Sequence, residues 1–378
     1  MPLSFLLLRR KGSDRVMAKK KLPKIDEKQE DEAVVSPIKS QRKMLVFIGV
    51  MGLITLLGGL LLASFNFMKY RYVRSGPLVE PVVYVVPEGA GLSSLAGKLE
   101  ADGLIDSAMM LKLNAKFTGI GGALKTGEYK VEAGASMKDI IEVFESGKTL
   151  LHPVTLPEGM TSAQLMRIIA EAETLSGDLP KTPPEGSLLP ETYMHPRGMS
   201  RAALMAKMQA AQTELIDKLW ENRQPNLPIK TKAEAINLAA VVEKETGGGH
   251  EVDKVAGVFI NRLNKNMRLQ SDPTIIYGIS KGEILRGRDG KQRGLRRSEI
   301  DRKTEWNTYQ IDGLPKTPIC NPGAKAIAAV LNPAETDALF FVADGTGGHA
   351  FSKTYAEHNR NVAKWRVIER RRRASGGQ

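Results

Sequence analysis

The chain reads as an α+β protein carried on a single N-terminal transmembrane helix, with a small α+β module ahead of a larger mixed α/β domain. Three observations predict this. They are an uncharged apolar run from Met44 to Met68, a strand, turn and helix unit that recurs between Val82 and Gly177, and a capped, glycine-terminated helix from Thr231 to Thr246. The expected divisions are a polar tail at 1–43, the membrane helix at 44–68, a linker at 69–81, the small module at 82–150, an intermediate α+β region at 151–225, the larger domain at 226–370 and a basic tail at 371–378.

At 378 residues and 42% hydrophobic content the chain has room for two or three folded domains. The net charge of +13 invites a nucleic-acid reading, but about +6 precedes Met44 and about +5 follows Ala363, leaving a nearly neutral body. Basic tails beside a membrane serve topology or lipid contact, so no nucleic-acid partner is expected. Cys320 is the single cysteine, which excludes an intrachain disulfide and a thiolate metal cluster. A small buried hydrophobe is its expected role.

Residues 1–43 carry Lys19-Lys20-Lys21 and an acidic patch from Asp26 to Glu32 without the periodicity of a packed element, and read as a disordered tail. Met44 to Met68 gives about 25 residues without a charge, more than the ~20 that cross a bilayer as a helix. The run is too long for a signal-peptide core and no clean cleavage site follows, so it stays as an anchor. Lys39, Arg42 and Lys43, with the earlier clusters, outweigh Lys69, Arg71 and Arg74 beyond it. That imbalance predicts a cytoplasmic N-terminus and everything after Lys69 outside.

The recurring unit appears as Val83 to Gly89 before a helix at Leu92 to Leu99, as Glu128 to Gly134 before Met137 to Phe144, and as Val154 to Gly159 before Ala163 to Ile169. A strand, a Pro or Gly turn and an amphipathic helix repeated in this way predict a compact α+β module. Further on, an amphipathic helix is expected from Arg201 to Leu219, and Pro225 and Pro228 mark a connection.

Thr231-Lys-Ala-Glu234 has the form of a capping box, and Gly247 to Gly249 are a C-terminal stop. Ile236, Ala239, Ala240 and Glu243 recur on one helical face, so Glu243 stands where a core residue belongs. Burial and the negative end of the helix dipole raise a carboxyl pKa, which suits a general acid. A buried glutamate paired with Arg or Lys fits the same spacing. Val255, Val258, Phe259, Arg262 and Leu263 predict a second helix, followed by a polar loop whose Asp272-Pro273 favours a turn. Loops rich in amides and rings follow at 306–309, 313–315, 321–323 and 345–351, a composition that suits a sugar chain. His349 and His358 lie too far apart for a helical metal pair, and no His-Glu-x-x-His, Gly-x-Ser-x-Gly or phosphate loop occurs, so no metal or cofactor is expected.

Val242-Glu243-Lys244-Glu245-Thr246, Val258 to Leu263, Arg268 to Thr274, Asn307-Thr308-Tyr309, Gly313-Leu314-Pro315, Asn321-Pro322-Gly323 and Phe341 to Gly345 together resemble the YceG-like family of endolytic murein transglycosylases. Glu185 to Tyr193 is similar to a family loop, with Leu188 where a more aromatic stretch is expected. The first two copies of the repeat, at 82–150, resemble the LysM-like domain that precedes some cell-wall enzymes. The family resemblance implies a catalytic acid at Glu243 and substrate contacts at Gln270, Asp272, Asn307, Tyr309 and Asn321, with Asp272 equally suited to a helix cap. It implies a bacterial inner-membrane protein with its catalytic domain in the periplasm. That protein cuts nascent peptidoglycan strands and limits their length, with peptidoglycan synthases as possible companions. One carboxyl suffices because the substrate's C6 hydroxyl attacks, whereas hydrolytic glycosidases use two. A wall-binding scaffold without turnover, and a water-using muramidase with Asp272 as second carboxylate, are the competing readings.

Overall fold

The computed structural model describes residues 37–374 apart from 120, 121, 123 and 248. The tail expected at 1–43 therefore falls mostly outside the described residues, as do 375–378 of the basic tail. The chain divides into two units, Met1–Phe67 and Met68–Gln378. In the first, the described residues belong to helix α1, Pro37–Val73, which continues into the second. Its stretch Gln41–Val73 is long and apolar enough to cross a membrane. Apolar side chains face outward, Leu61 being 72% exposed, and the Thr55 hydroxyl donates to Met51 O at 2.8 Å. Polar groups satisfied within the helix are what a hydrocarbon solvent requires.

The second unit opens with strand β1 (Val82–Val86), helices α2 (Leu92–Ala101) and α3 (Ala108–Thr118), strand β2 (Gly127–Val131) antiparallel to β1, and helix α4 (Met137–Ser146). Leu95, Leu99, Leu111, Tyr129, Ile140 and Phe144 fill its core, and Tyr72 of α1 joins them. The stretch expected as a linker at 69–81 is thus built in. Residues through Val73 are helical, Gly76 N donates to Gly134 O at 3.2 Å, and Gly134 N donates to Leu78 O at 2.8 Å.

A second core follows from strand β3 (Leu151–Thr155), helix α5 (Ser162–Glu171), strand β4 (Thr192–Pro196) paired antiparallel with β3, and helix α6 (Arg201–Glu221). Leu156, Leu165, Ile169, Leu188, Leu204 and Met208 are its centre. All three copies of the repeated turn end on a glycine in the left-handed region, Gly89 and Gly134 at φ 70° and Gly159 at φ 73°. A side chain with a Cβ is strained there, which is why the repeat carries glycine at that step. The two cores are joined through Glu128, which accepts Arg197 Nε at 2.9 Å and bonds the His152 ring.

The third core is helical: α7 (Lys232–Thr246), α8 (Val252–Asn264), α9 (Asp272–Ser280), the short α10 (Arg297–Ile300) and α11 (Ala324–Leu331). A hairpin of β5 (Phe340–Ala343) and β6 (His349–Ser352) and the helix α12 (Tyr355–Ala374) complete it. Among the described residues its regular sheet is that hairpin, so the domain is helix with a β-hairpin rather than mixed α/β. α12 also runs through 371–374, part of the stretch expected as a tail. Leu238, Val241, Val242, Phe259, Ile327 and Val330 are buried together, each contributing about 1.5–3 kcal/mol. Asp272-Pro273 opens α9 behind Ser271 rather than making a loop turn, because proline's fixed φ and missing N–H suit a first helical turn.

Candidate active site

Helix α7 begins and ends where its sequence requires. Glu234 N donates to Thr231 Oγ1 at 3.1 Å and Thr231 N to Glu234 Oε2 at 3.3 Å. Gly247, in the left-handed region at φ 56°, sends its N–H to Glu243 O at 2.9 Å. Glu243 and Glu245 therefore both stand in the last turn, where the helix dipole disfavours a carboxylate. Two residues apart means roughly 200° of rotation, so the two point to opposite sides.

Glu243 is 4% exposed and accepts Gly323 N at 3.2 Å. It packs beneath the Glu158-Gly159 turn and faces the start of α11. Burial raises its pKa, the Gly323 amide opposes that, and the Glu158 charge adds to it. Glu245 faces a different region. It lines a cavity of about 410 Å³ together with Arg262, Gln270, Asp272, Tyr309 and His358. Ser271 Oγ donates to Glu245 Oε1 at 2.5 Å. Burial raises the pKa of Glu245, the Ser271 bond lowers it, and the Asp272 charge raises it again. Gln270, Asp272 and Tyr309, three of the five substrate contacts expected from sequence, are thus gathered around Glu245 and not around Glu243.

Two loops hold this cavity open. Gln270 N donates to Thr308 O at 3.2 Å, Ser271 N to Thr308 Oγ1 at 2.9 Å and Thr308 N to the Thr274 hydroxyl at 3.2 Å. Gln270 itself has φ 53°, a conformation costly for a residue with a Cβ and held only because these bonds over-determine it. The Tyr309 hydroxyl donates to Asp272 Oδ1 at 2.8 Å. Burial raises the Tyr309 pKa, with the Asp272 charge reinforcing it, so the phenol keeps its proton. Behind them the Arg262 guanidinium donates to Leu339 O and Leu269 O, both at 2.7 Å, tying the hairpin to the loop. His358 stacks on Phe340 with ring centroids 5.2 Å apart, and its buried Nδ1 has no hydrogen-bond partner.

Asn307 and Asn321 are both fully buried, and their amides serve the scaffold instead of a ligand. Asn307 Nδ2 donates to Ile300 O at 2.9 Å and Arg302 O at 2.7 Å, while its Oδ1 accepts Tyr309 N at 3.0 Å. Asn321 Oδ1 accepts Leu188 N at 3.1 Å and its Nδ2 donates to Ser162 Oγ at 3.1 Å. Leu188 is itself fully buried in the second core, which explains an aliphatic residue at that point of the loop. Sequence reasoning read Glu245 as structural because it faces away from Glu243, and missed Ser271, Arg262 and His358 as cavity residues. The available signal was that Glu245 lies 200° from the deeply packed face.

The fold and cavity define an α+β protein in which Glu245, a carboxyl whose pKa burial raises, shares a polar, aromatic-rimmed cleft with Asp272. The chain belongs to the YceG-like family, whose family model matches residues 84–364. It is 28% identical over 312 residues to the endolytic murein transglycosylase of Bacillus subtilis, covering 74% of this chain and 83% of that one. The endolytic murein transglycosylase of Streptococcus pneumoniae serotype 2 is 27% identical over 354 residues, covering 80% of this chain and 63% of the relative's length. A crystal structure of a yceG-like protein from Listeria monocytogenes, 27% identical, matches with a TM-score of 0.45 over 74% of this chain and 98% of that chain.

Proposed function

We propose that the protein is a membrane-anchored lytic transglycosylase that cuts the MurNAc-GlcNAc bond inside peptidoglycan glycan strands and leaves 1,6-anhydro-MurNAc ends. The observation that carries this is the Glu245 carboxyl, its pKa raised by burial, facing a cavity shared with Gln270, Asp272 and Tyr309. The names of the two relatives support the substrate class. Glu245 takes the acid role that the resemblance alone suggested for Glu243, because Glu243 is packed between the Gly159 turn and the Gly323 amide.

In the first step Glu245 gives its proton to the glycosidic oxygen as the C1–O bond breaks. As carboxylate it then takes the proton of the C6 hydroxyl while O6 bonds to C1, so one group serves as acid and then base. Ser271 holds the carboxyl in place, and Gln270 and the Tyr309–Asp272 pair orient the sugar. Placing the C6 hydroxyl against C1 gives it an effective concentration far above that of an unoriented nucleophile. Strand termination and work beside a peptidoglycan synthase belong to the same reading. So does a LysM-like role for the 82–150 module, supported by its β-α-α-β order with β1 and β2 antiparallel.

A second reading has one observation in its favour: Asp272 shares the cavity with Glu245, as the second carboxylate of a hydrolase must. Digestion of purified peptidoglycan with mass analysis separates the two. Anhydro ends, lighter by one water and resistant to borohydride, are expected; reducing ends as the main product make the enzyme a muramidase. Glu245→Gln is expected to lower turnover by about 10²-fold or more, and Glu243→Gln to leave it within a few-fold. The reverse ranking returns the acid role to Glu243.

A further inference from the structure

We propose that the outer face of α3 is a second membrane contact, docked on the anionic headgroup surface of the bilayer that α1 enters. This rests on α1 being a membrane helix.

Two sets of ties fix α3 against the end of α1. Asp106, just ahead of α3, pairs with Arg74 and lies 3.9 Å from Arg71 Nη2, while Asn114 within α3 donates from Nδ2 to Met68 O at 3.3 Å. Advancing from Asp106 to Asn114 thus means moving back from Arg74 to Met68, so α3 runs antiparallel to that terminal segment of α1. The junction is packed rather than frayed, since Met68, Tyr72 and Asn114 are all buried. The uncharged run ends at Met68 and is followed by Lys69 and Arg71, which places the bilayer surface near Met68. At 1.5 Å per residue, Phe117 lies about 4–5 Å beyond Asn114 in the direction that leads from Arg74 to Met68.

The exposed side chains of α3 match that position. Met109 is 67% exposed and Phe117 68%, and both stand on one face with exposed Lys112 and Lys116 at the i, i+3, i+7, i+8 spacing. α3 carries no acidic residue. Tyr70 at the end of α1 is 61% exposed. Aromatic and aliphatic tips with lysines between them suit the interface of an anionic leaflet, where rings enter the headgroup layer and ammonium groups reach phosphates. A glycan is the poorer occupant, because this face offers no carboxamide or carboxylate to pair with sugar hydroxyls.

The test uses the full chain in vesicles with nitroxide labels on introduced cysteines; Cys320 is fully buried and does not compete. Labels go on Leu57→Cys within the anchor, Phe117→Cys and, as an aqueous control, Lys98→Cys. Collision with oxygen against a water-soluble nickel chelate reads their depth. In vesicles containing phosphatidylglycerol, the Leu57 and Phe117 labels are expected to meet the chelate several-fold less often than the Lys98 label. Pure phosphatidylcholine, or Lys112→Glu with Lys116→Glu, is expected to return the Phe117 label toward the control. A shielded Leu57 label beside a Phe117 label as exposed as Lys98 overturns the docking and leaves the anchor standing. An exposed Leu57 label overturns the anchor and the proposal with it. A Phe117 label shielded equally with and without anionic lipid, and in the charge-reversed variant, overturns the headgroup assignment.

Discussion

Glu245 has three neighbours that set its proton affinity in known directions: burial raises it, the Ser271 hydroxyl lowers it and the Asp272 charge raises it. In the proposed mechanism Glu245 must hold its proton in the free enzyme, so the basic limb of kcat/KM against pH is expected to follow this group. Asp272→Asn removes a repelling charge and is expected to move that limb to lower pH. Ser271→Ala removes a bond that favours the carboxylate and is expected to move it to higher pH. The stability sign follows from the same shift. Above the ordinary 4.5 and up to the raised folded value, the folded state holds the extra proton, so stability falls as pH rises through that window. Glu245→Gln abolishes the loss and is expected to raise Tm at neutral pH, with the difference from the parent closing below 4.5. An unchanged Tm across that range would remove burial as the cause of the shift. The sequence pointed to the last turn of α7 and to Glu243, whereas the acid proposed from the cavity, Glu245, stands on the other side of that turn. Helix α7 is buried on nearly every side from Ala235 to Glu243, so an acid on its apolar face marks core rather than cleft. Only the fold reveals that the 268–272 loop meets the helix at Glu245.

At the level of elements, legibility followed locality. The capping box at Thr231, the glycine stop at Gly247 and the three turn glycines depend on a few neighbouring residues, and the expected elements formed around them. Asn307 and Asn321 look like sugar ligands in sequence because a loop amide has the same composition whether it faces solvent or a carbonyl. Their partners lie two to 161 positions away, from Tyr309 N for Asn307 to Met160 O for Asn321. Asn307→Ala leaves the Arg302 carbonyl and the Tyr309 amide without their partner and Ile300 O with Gln310 Nε2 alone, and is expected to cost about 2–4 kcal/mol of stability. Because it also releases Tyr309, turnover should fall further than unfolding explains, as measured well below the midpoint of a urea titration. Gly257 offers a purely structural comparison. A Cβ there stands 2.7 Å from Ala334 O, a backbone atom that cannot swing aside. Gly257→Ala is expected to cost about 1–3 kcal/mol by pushing α8 from the 334–336 segment, with activity per folded molecule retained.

For the whole molecule, the division of labour runs along the chain: a charged tail, an apolar helix, then three successive cores whose buried residues span Tyr72 to Phe144, Val154 to Met208 and Ile216 to Leu331. Because each core is built mainly from neighbouring stretches of sequence, local patterns revealed the order. The end of the anchor was less legible, since Lys69 and Arg71 stop an apolar run without stopping a helix, and α1 continues to Val73 and delivers Tyr72 into the first core. The expected orientation rests on charge. Lys39, Arg42 and Lys43 precede the apolar run closely, backed by the clusters before them, and the cations after it are partly spent on Asp106 through Arg74 and Arg71. Lysine and arginine resist transfer across a bilayer, so the denser side is expected to stay in the cytoplasm. A reporter fused after Gln378 is accordingly expected to be active only if it works outside the cytoplasm, which is where a glycan substrate is met. Replacing Lys39, Arg42 and Lys43 by glutamine is expected to produce a fraction of inverted chains, read by protease protection of spheroplasts. Cytoplasmic activity of the reporter on the unaltered chain would reverse the topology and separate the cleft from the substrate proposed for it.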